Sequence, residues 1–297
     1  RNIRRDVNDD VKKLDLPEDD EKAALEDIQK LTDKKIAIIG GGNIGGAIAN
    51  GLLNSKFIDA GQLTISKRNV ETLSSFKEMG VNVVSDNRIA VSNADYVILA
   101  VKPFQIQDLA REINSYIVYD KQVLVSVITG VWLNDLQELF STNASLFRAM
   151  PNTAACIGES MTSIASRNAS SEQIQFVQNL FNTIGKSVII DEALMDAATV
   201  LGACGTAFAL RFIRANIQGG IDIGFDAKTA TLIAAQTIMG AGKMLLENGT
   251  HPEQEIDKVT TPKGCTIAGL NEMEHQGFSS SLIRGVKASY ERIVKDM

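Results

Sequence analysis

Three glycines at Gly40-x-Gly42-x-x-Gly45 have the spacing that lets a backbone close around a pyrophosphate. They stand between the β-branched run Lys35-Ile36-Ala37-Ile38-Ile39 and a helical pattern that begins at Ile44. In that order each glycine has a task. Gly40 turns the chain sharply off a strand, Gly42 removes a Cβ where an anion must come close, and Gly45 lets the next helix pack against the sheet. The helix start offers free N–H groups and a positive dipole end to phosphate oxygens. A second turn, Ser66-Lys67-Arg68, follows the second strand and contains no Asp or Glu to bind a ribose 2′-hydroxyl. Lys and Arg instead give charge-assisted contacts to a 2′-phosphate. The pattern points to a dinucleotide, with NADP(H) favoured and NADH admissible; the alternative for Lys67 and Arg68 is a pair of solvated surface charges. Asn87, on a turn after the third strand, and Ala100-Val101-Lys102-Pro103, after the fourth, fall at the same carboxyl edge by topology. Taken alone, each reads as turn chemistry.

Composition excludes several other chemistries. The three cysteines, Cys156, Cys204 and Cys265, are unevenly spaced without a C-x-x-C, which suits reduced thiols of a cytoplasmic protein rather than disulfides or a metal set. With His251 and His275 as the only histidines, no His-rich metal centre is expected. A formal net charge of −6 argues against a nucleic-acid partner. Hydrophobic residues make up 44% and charged residues 22%, as in an ordinary globular protein. No signal-peptide pattern opens the chain. The long apolar stretch 193–217 carries Asp196, Arg211 and Arg214, so it reads as a buried helix and not a membrane span.

The 297 residues suffice for two domains, and the pattern changes character along them. Residues 1–34 are charge-dense. Val11, Leu14, Leu16, Ala24, Leu25, Ile28 and Leu31 predict two short amphipathic helices broken near Pro17, a helical appendage. From 35 to 191, strands at 35–39, 63–66, 81–83, 96–100, 123–128, 146–150 and 187–190 alternate with helices at 44–54, 70–79, 105–113, 132–139 and 171–184. Near-continuous apolar strands alternating with helices predict an α/β fold, a Rossmann-like doubly wound sheet with its ligand at the carboxyl ends of the strands. From 192 to 297 only helices follow, at 193–217, 227–248, 266–276 and 280–295. The first two are apolar around nearly their whole circumference. Roughly a hundred residues leave little room to bury them within one subunit, so a subunit interface is expected.

Four segments together carry a resemblance: Gly40-Gly41-Gly42-Asn43-Ile44-Gly45, Ala100-Val101-Lys102-Pro103, Arg148-Ala149-Met150-Pro151-Asn152-Thr153, and Val259-Thr260-Thr261-Pro262-Lys263-Gly264-Cys265-Thr266-Ile267-Ala268-Gly269-Leu270. From about residue 35 onward the chain resembles a pyrroline-5-carboxylate reductase. The resemblance implies NADPH-dependent reduction of 1-pyrroline-5-carboxylate to L-proline in the cytoplasm. It also implies a dinucleotide domain followed by a helical domain that pairs with a second copy, and rings of dimers. It places Gly40, Gly42, Asn43, Ile44 and Gly45 at the pyrophosphate, Ser66, Lys67 and Arg68 at the 2′-phosphate, and Asn87 at the adenosine end. Ala100, Val101, Lys102, Pro103 and Asn152 go to the nicotinamide, and Val259, Thr260, Thr261, Gly264, Cys265 and Thr266 to the substrate. Thr266 becomes the hydrogen-bond donor to the ring nitrogen, where spacing alone reads it as a helix cap. Cys265, with no basic partner nameable from sequence, reads as a small loop residue rather than a nucleophile.

The chain departs from the family pattern at several positions. Ala154 follows Met-Pro-Asn-Thr where the family has Pro. Thr206 and Phe208 replace a proline and a tyrosine in the first long helix, and Lys258, Thr261 and Lys263 replace Asn, Ser and Gly in the substrate loop. A β-hydroxyacid dehydrogenase would need a helix-borne lysine early in the second domain, and 194–217 contains none. Another imine reductase or a non-catalytic dinucleotide-binding protein are the remaining alternatives. Residues 1–6, 18–20 and 27–33 resemble part of the helical bundle of ribosome recycling factor, and no function is transferred from so short a likeness.

Overall fold

β1 (Ile36–Ile39) is buried along its whole length, which four consecutive apolar residues permit only between two layers of helices. Its alternate side chains serve different cores. Ile36 and Ile38 join a cluster with Ile48, Leu52 and Phe176, while Ala37 and Ile39 join one with Val91, Leu109 and Leu136. This computed structural model describes residues 34–296, so the helices expected within 1–33 lie outside the described residues. The described residues divide into two compact units, one ending at Ala203 and one beginning at Cys204.

The first unit carries one eight-stranded sheet in the order β3-β2-β1-β4-β5-β6-β7-β8. The strands after β1 are β2 (Leu63–Ser66), β3 (Asn82–Val84), β4 (Tyr96–Leu99), β5 (Val123–Ser126), β6 (Ser145–Met150), β7 (Ser160–Arg167) and β8 (Gly185–Ile189). All pairs are parallel except β6 with β7. Helices α1 (Asn43–Asn54), α2 (Ser74–Glu78), α3 (Asn87–Ser92), α4 (Ile106–Ile113), α5 (Leu133–Leu139), α6 (Ser171–Asn182) and α7 (Met195–Thr199) connect or follow the strands. The strand order reverses between β1 and β4, which opens a crevice at their carboxyl ends.

Two elements of this unit were not expected from the pattern. β7 is rich in Ser and Thr and lacks a continuous apolar run, yet it pairs on both sides. Asn87 opens the short helix α3 rather than sitting on a bare turn. The compact unit that holds the sheet extends to Ala203, with Met195 and Val200 fully buried and Met195 in the core that holds Ala37 and Ile39.

The expected helix 193–217 is interrupted by a π-helical turn at Val200–Cys204. The second unit consists of α8 (Gly205–Asp222), α9 (Ala227–Asn248), α10 (Pro252–Val259), α11 (Cys265–His275) and α12 (Phe278–Asp296). The short α10 was not foreseen. The core of this unit is small: Ile217, Ala230 and Ala234, with Ile213 against them. Leu210, Leu232, Met239 and Leu246 are each at least 60% exposed. The apolar helices are therefore not buried within one chain, as their composition implied.

Candidate functional site: a dinucleotide cleft and a separate helical loop

At the carboxyl ends of β1 and β4 the first unit holds a cleft of about 620 Å³. Its wall includes Gly40, Gly41, Gly42, Asn43, Ile44, Ser66, Lys67, Arg68, Asn87, Ala100, Val101, Lys102 and Pro103. The two sequence-predicted dinucleotide residues outside this lining are Gly45 and Asn152.

Local packing explains the glycine spacing. Gly40 has φ +109°, and a Cβ there would stand 2.5 Å from the Ala100 carbonyl oxygen. Its N–H and that of Gly41 both donate to the Ser66 carbonyl, at 3.1 and 3.0 Å, which fixes the turn onto β2. Gly45 is buried beneath the turn, and a Cβ there would lie 2.2 Å from the Gly40 carbonyl oxygen and 3.1 Å from Ile38 Cγ2. Gly42 differs: a Cβ would meet nothing within 4 Å, because this residue faces open space. It is the N-cap of α1 and brings no side chain to cap the helix, whose first turn holds no acidic residue. An anion can thus approach Gly42 and the uncapped helix start without displacing protein atoms. These residues fit a dinucleotide pyrophosphate on packing grounds alone.

Ser66 is buried, Lys67 half-buried and Arg68 exposed. Ser66 Oγ donates to Asn87 Oδ1 at 2.7 Å, and Asn87 Nδ2 donates to Glu112 Oε2 at 3.0 Å. Gln105, Asp108, Leu109 and Glu112 of the α4 region and Val127, Ile128 and Thr129 after β5 complete the wall, and sequence reasoning named none of them. The residues after β5 were within reach of the same carboxyl-edge rule that found Ala100 and Asn87. The α4 residues had no such signal.

Asn152 has other partners. It caps the 3₁₀ turn Thr153–Ile157, its Oδ1 accepting from Ala154 N at 3.0 Å while its Nδ2 donates to the Gly202 carbonyl at 3.0 Å. Nearby, Arg148 is a second feature that sequence reasoning left without a role. Its side chain is 1% exposed, stands 3.7 Å from Glu192 and 3.8 Å from Asp196, and places its guanidinium carbon 4.5 Å from the Trp132 ring centroid. Burial pushes its pKa down, while Glu192 and Asp196 pull it back up.

In the second unit the predicted substrate residues form one continuous feature. Val259 ends α10 rather than lying in the loop, and Thr260 Oγ1 donates to the Ile256 carbonyl at 2.7 Å. Thr261-Pro262-Lys263-Gly264 is a turn closed by Gly264 N donating to the Thr261 carbonyl at 3.0 Å, with Lys263 at φ +62°. Proline second and positive φ third is the type II arrangement that normally takes glycine at Lys263. Gly264 is the N-cap of α11, so the helix start carries no side-chain cap, and a Cβ there would stand 2.5 Å from Thr261 Oγ1. Cys265 and Thr266 follow as the first two helical residues, Cys265 exposed and Thr266 half-buried. Thr266 is therefore not the cap that spacing alone suggested. Lys258 Nζ bonds Glu255 Oε1 at 2.7 Å, and this contact together with the Thr250 hydroxyl holds the Glu255 carboxyl below the usual carboxylate range. Among the described residues no group of three or more His, Cys, Asp and Glu is placed to hold a metal ion.

Both features fall in segments that match known proteins. Residues 192–296 match the family model for pyrroline-5-carboxylate reductase dimerisation, and residues 35–130 match that for NADP oxidoreductase, coenzyme F420-dependent. Pyrroline-5-carboxylate reductase 1 of Dictyostelium discoideum is 42% identical over 275 residues, covering 89% of this chain, which spans about half (50%) of that relative's length. Pyrroline-5-carboxylate reductase 2 of the same organism is 38% identical over 89% of this chain and 93% of its own length. Among solved structures, a pyrroline-5-carboxylate reductase of Coxiella burnetii matches with TM-score 0.85 at 26% identity, over 88% of this chain and 98% of that one. The Plasmodium falciparum pyrroline carboxylate reductase with NADP bound matches with TM-score 0.76 at 26% identity, over 89% and 98%.

Proposed function

The chain belongs to the pyrroline-5-carboxylate reductase family, and from that premise we propose how its residues divide the work of the reaction. The reaction is NAD(P)H-dependent reduction of 1-pyrroline-5-carboxylate to L-proline, the last step of proline biosynthesis. A hydride adds to the C=N carbon, and the nitrogen ends with a proton. NADPH, when bound, supplies the hydride. The observation that carries the reading is the cleft beside Gly42, open to an anion and flanked by Lys67 and Arg68, in a chain that continues into the Val259–Thr266 feature.

Gly40, Gly42, Asn43, Ile44 and Gly45 cradle the pyrophosphate. Ser66, Lys67, Arg68 and Asn87 hold the 2′-phosphorylated ribose, and Ala100, Val101, Lys102, Pro103 and Asn152 flank the nicotinamide. The helical substrate and dimerisation domain runs over 192–297. There Val259, Thr260, Thr261, Gly264, Cys265 and Thr266 receive the substrate, with its carboxylate at the uncapped start of α11. The Thr266 hydroxyl donates a hydrogen bond to the ring nitrogen, where electron density rises as the hydride arrives. An imine that arrives protonated needs little further acid–base machinery. Holding donor and acceptor carbons in line supplies roughly 7–11 kcal/mol of barrier lowering by orientation.

The α8 and α9 faces that expose Leu210, Leu232, Met239 and Leu246 meet a second copy of the chain, and dimers assemble further into rings. The region Glu192–Asp222 is long and apolar enough to cross a membrane. Its apolar face instead serves the subunit contact, in a cytoplasmic protein with neither a membrane nor a nucleic-acid partner.

The test is NADPH oxidation with 1-pyrroline-5-carboxylate. Thr266→Ala is expected to lower kcat about a hundredfold while NADPH affinity holds, and Thr266→Ser to keep most turnover. Unchanged turnover in Thr266→Ala removes that residue from the reaction.

A further inference from the structure

The dinucleotide cleft is not uniformly basic. Lys67 and Arg68 line it after β2 and Lys102 after β4, whereas Glu112 and Asp108, the latter paired with Arg111 at 2.7 Å, line it from α4. Glu112 is bonded into the wall, accepting from Asn87 Nδ2 at 3.0 Å while Asn87 Oδ1 accepts from Ser66 Oγ at 2.7 Å. These bonds decide which way the amide faces. A carboxylate only accepts, so it selects the NH₂ end of Asn87 and turns the carbonyl end to Ser66. Asn87 keeps one further N–H, and the Ser66 oxygen, having spent its proton, keeps an acceptor lone pair.

In dinucleotide sheets the residues after the second strand meet the ribose 2′ position. A 2′-hydroxyl both donates and accepts, and matches this mixed set. A 2′-phosphate only accepts and brings nearly two negative charges toward a carboxylate. We infer that Glu112 is a specificity-determining positioning residue: it orients Asn87 and opposes the attraction of Lys67 and Arg68 for the 2′-phosphate, so that the cleft takes NADH as well as NADPH. The inference rests on the cofactor cleft of the proposed function. Because Glu112 is exposed, its effect is screened by salt.

Binding of NADPH and of NADH to the full chain, measured without substrate by calorimetry at low and at high salt, tests it. Glu112→Gln keeps an oxygen for Asn87 and removes the charge. It is expected to tighten NADPH about three- to tenfold at low salt, to lose that gain at roughly 1 M salt, and to change NADH less than about twofold. Glu112→Leu removes the acceptor as well and is expected to weaken NADH about three- to tenfold. An NADPH-to-NADH affinity ratio in Glu112→Gln equal to that of the parent at low salt overturns the inference while leaving the cleft assignment intact. A parent chain that binds neither dinucleotide overturns both. Should Glu112→Leu fail to fold, Glu112→Gln alone decides.

Discussion

Exchanging Gly42 and Gly45 for alanine should produce opposite failures, although the two residues stand three apart in one motif. At Gly45 the added Cβ would lie 2.2 Å from the Gly40 carbonyl oxygen and 3.1 Å from Ile38 Cγ2. Both neighbours belong to backbone or buried strand, so α1 must lift from β1 by roughly 0.8–1 Å to reach an ordinary carbon–oxygen contact. Overpacking of this kind costs about 1–3 kcal/mol, and a collision with backbone falls at the upper end. For a unit of this size that lowers Tm by roughly 5–10 °C. At Gly42 the same methyl meets nothing within 4 Å, and the backbone, φ −86° and ψ −160°, suits alanine. Only the weaker N-cap preference of alanine is lost, about 0.5–1 kcal/mol and a few degrees. The methyl does occupy the space through which a pyrophosphate approaches, so NADPH should bind at least about tenfold more weakly, 1.4 kcal/mol. Differential scanning calorimetry and NADPH titration on both variants give four readings. Two results refute the reasoning: Gly42→Ala melting as low as Gly45→Ala, or Gly42→Ala binding NADPH as the parent does.

Three other expectations follow from separate parts of the molecule. Arg148→Ala leaves Asp196 without its buried cation, while Glu192 keeps Arg167 and the Leu133 N–H, and should cost about 3 kcal/mol, read as a lowered urea midpoint; a midpoint near that of the parent argues that the cluster is solvated. Asp226 caps α9, and the hydrogen bond from Thr229, its largest influence, holds its pKa below the usual 3.8; its stabilisation is thus full above about pH 4 and fades as pH falls through the lowered value, so Asp226→Asn should flatten the acid limb of a Tm-against-pH curve. Leu232→Asp on the exposed face of α9 should weaken self-association at least about a hundredfold, because a symmetric contact meets the change twice, and light scattering of a dilution series reads it; an unshifted mass removes that face from the contact.

The chain itself determined β1, the glycine turn and α1, because a buried parallel strand needs an unbroken apolar run and a phosphate turn needs glycine at fixed offsets. It determined the apolar helices of the second unit too, since composition alone forbids leaving them in water. The helical boundaries around them were less legible: the π turn at Val200–Cys204, whose Gly202 carbonyl accepts from Asn152 Nδ2, leaves no mark in the periodicity, and Met195 joins the core of the first unit. β7 was hidden for a related reason, as its Ser and Thr residues show strand character only once β6 and β8 pair with them. Glu112 marks the sharpest limit. A carboxylate on the polar side of an amphipathic helix is ordinarily solvated, and nothing in its neighbours along the chain distinguishes it. Only the packing of α4 beside β4 and β5 brings it to Asn87, 25 residues earlier, and puts its carboxylate in the wall of the dinucleotide cleft. Periodicity reports which face of an element is buried, and contact between polar faces of different elements is decided by the tertiary fold.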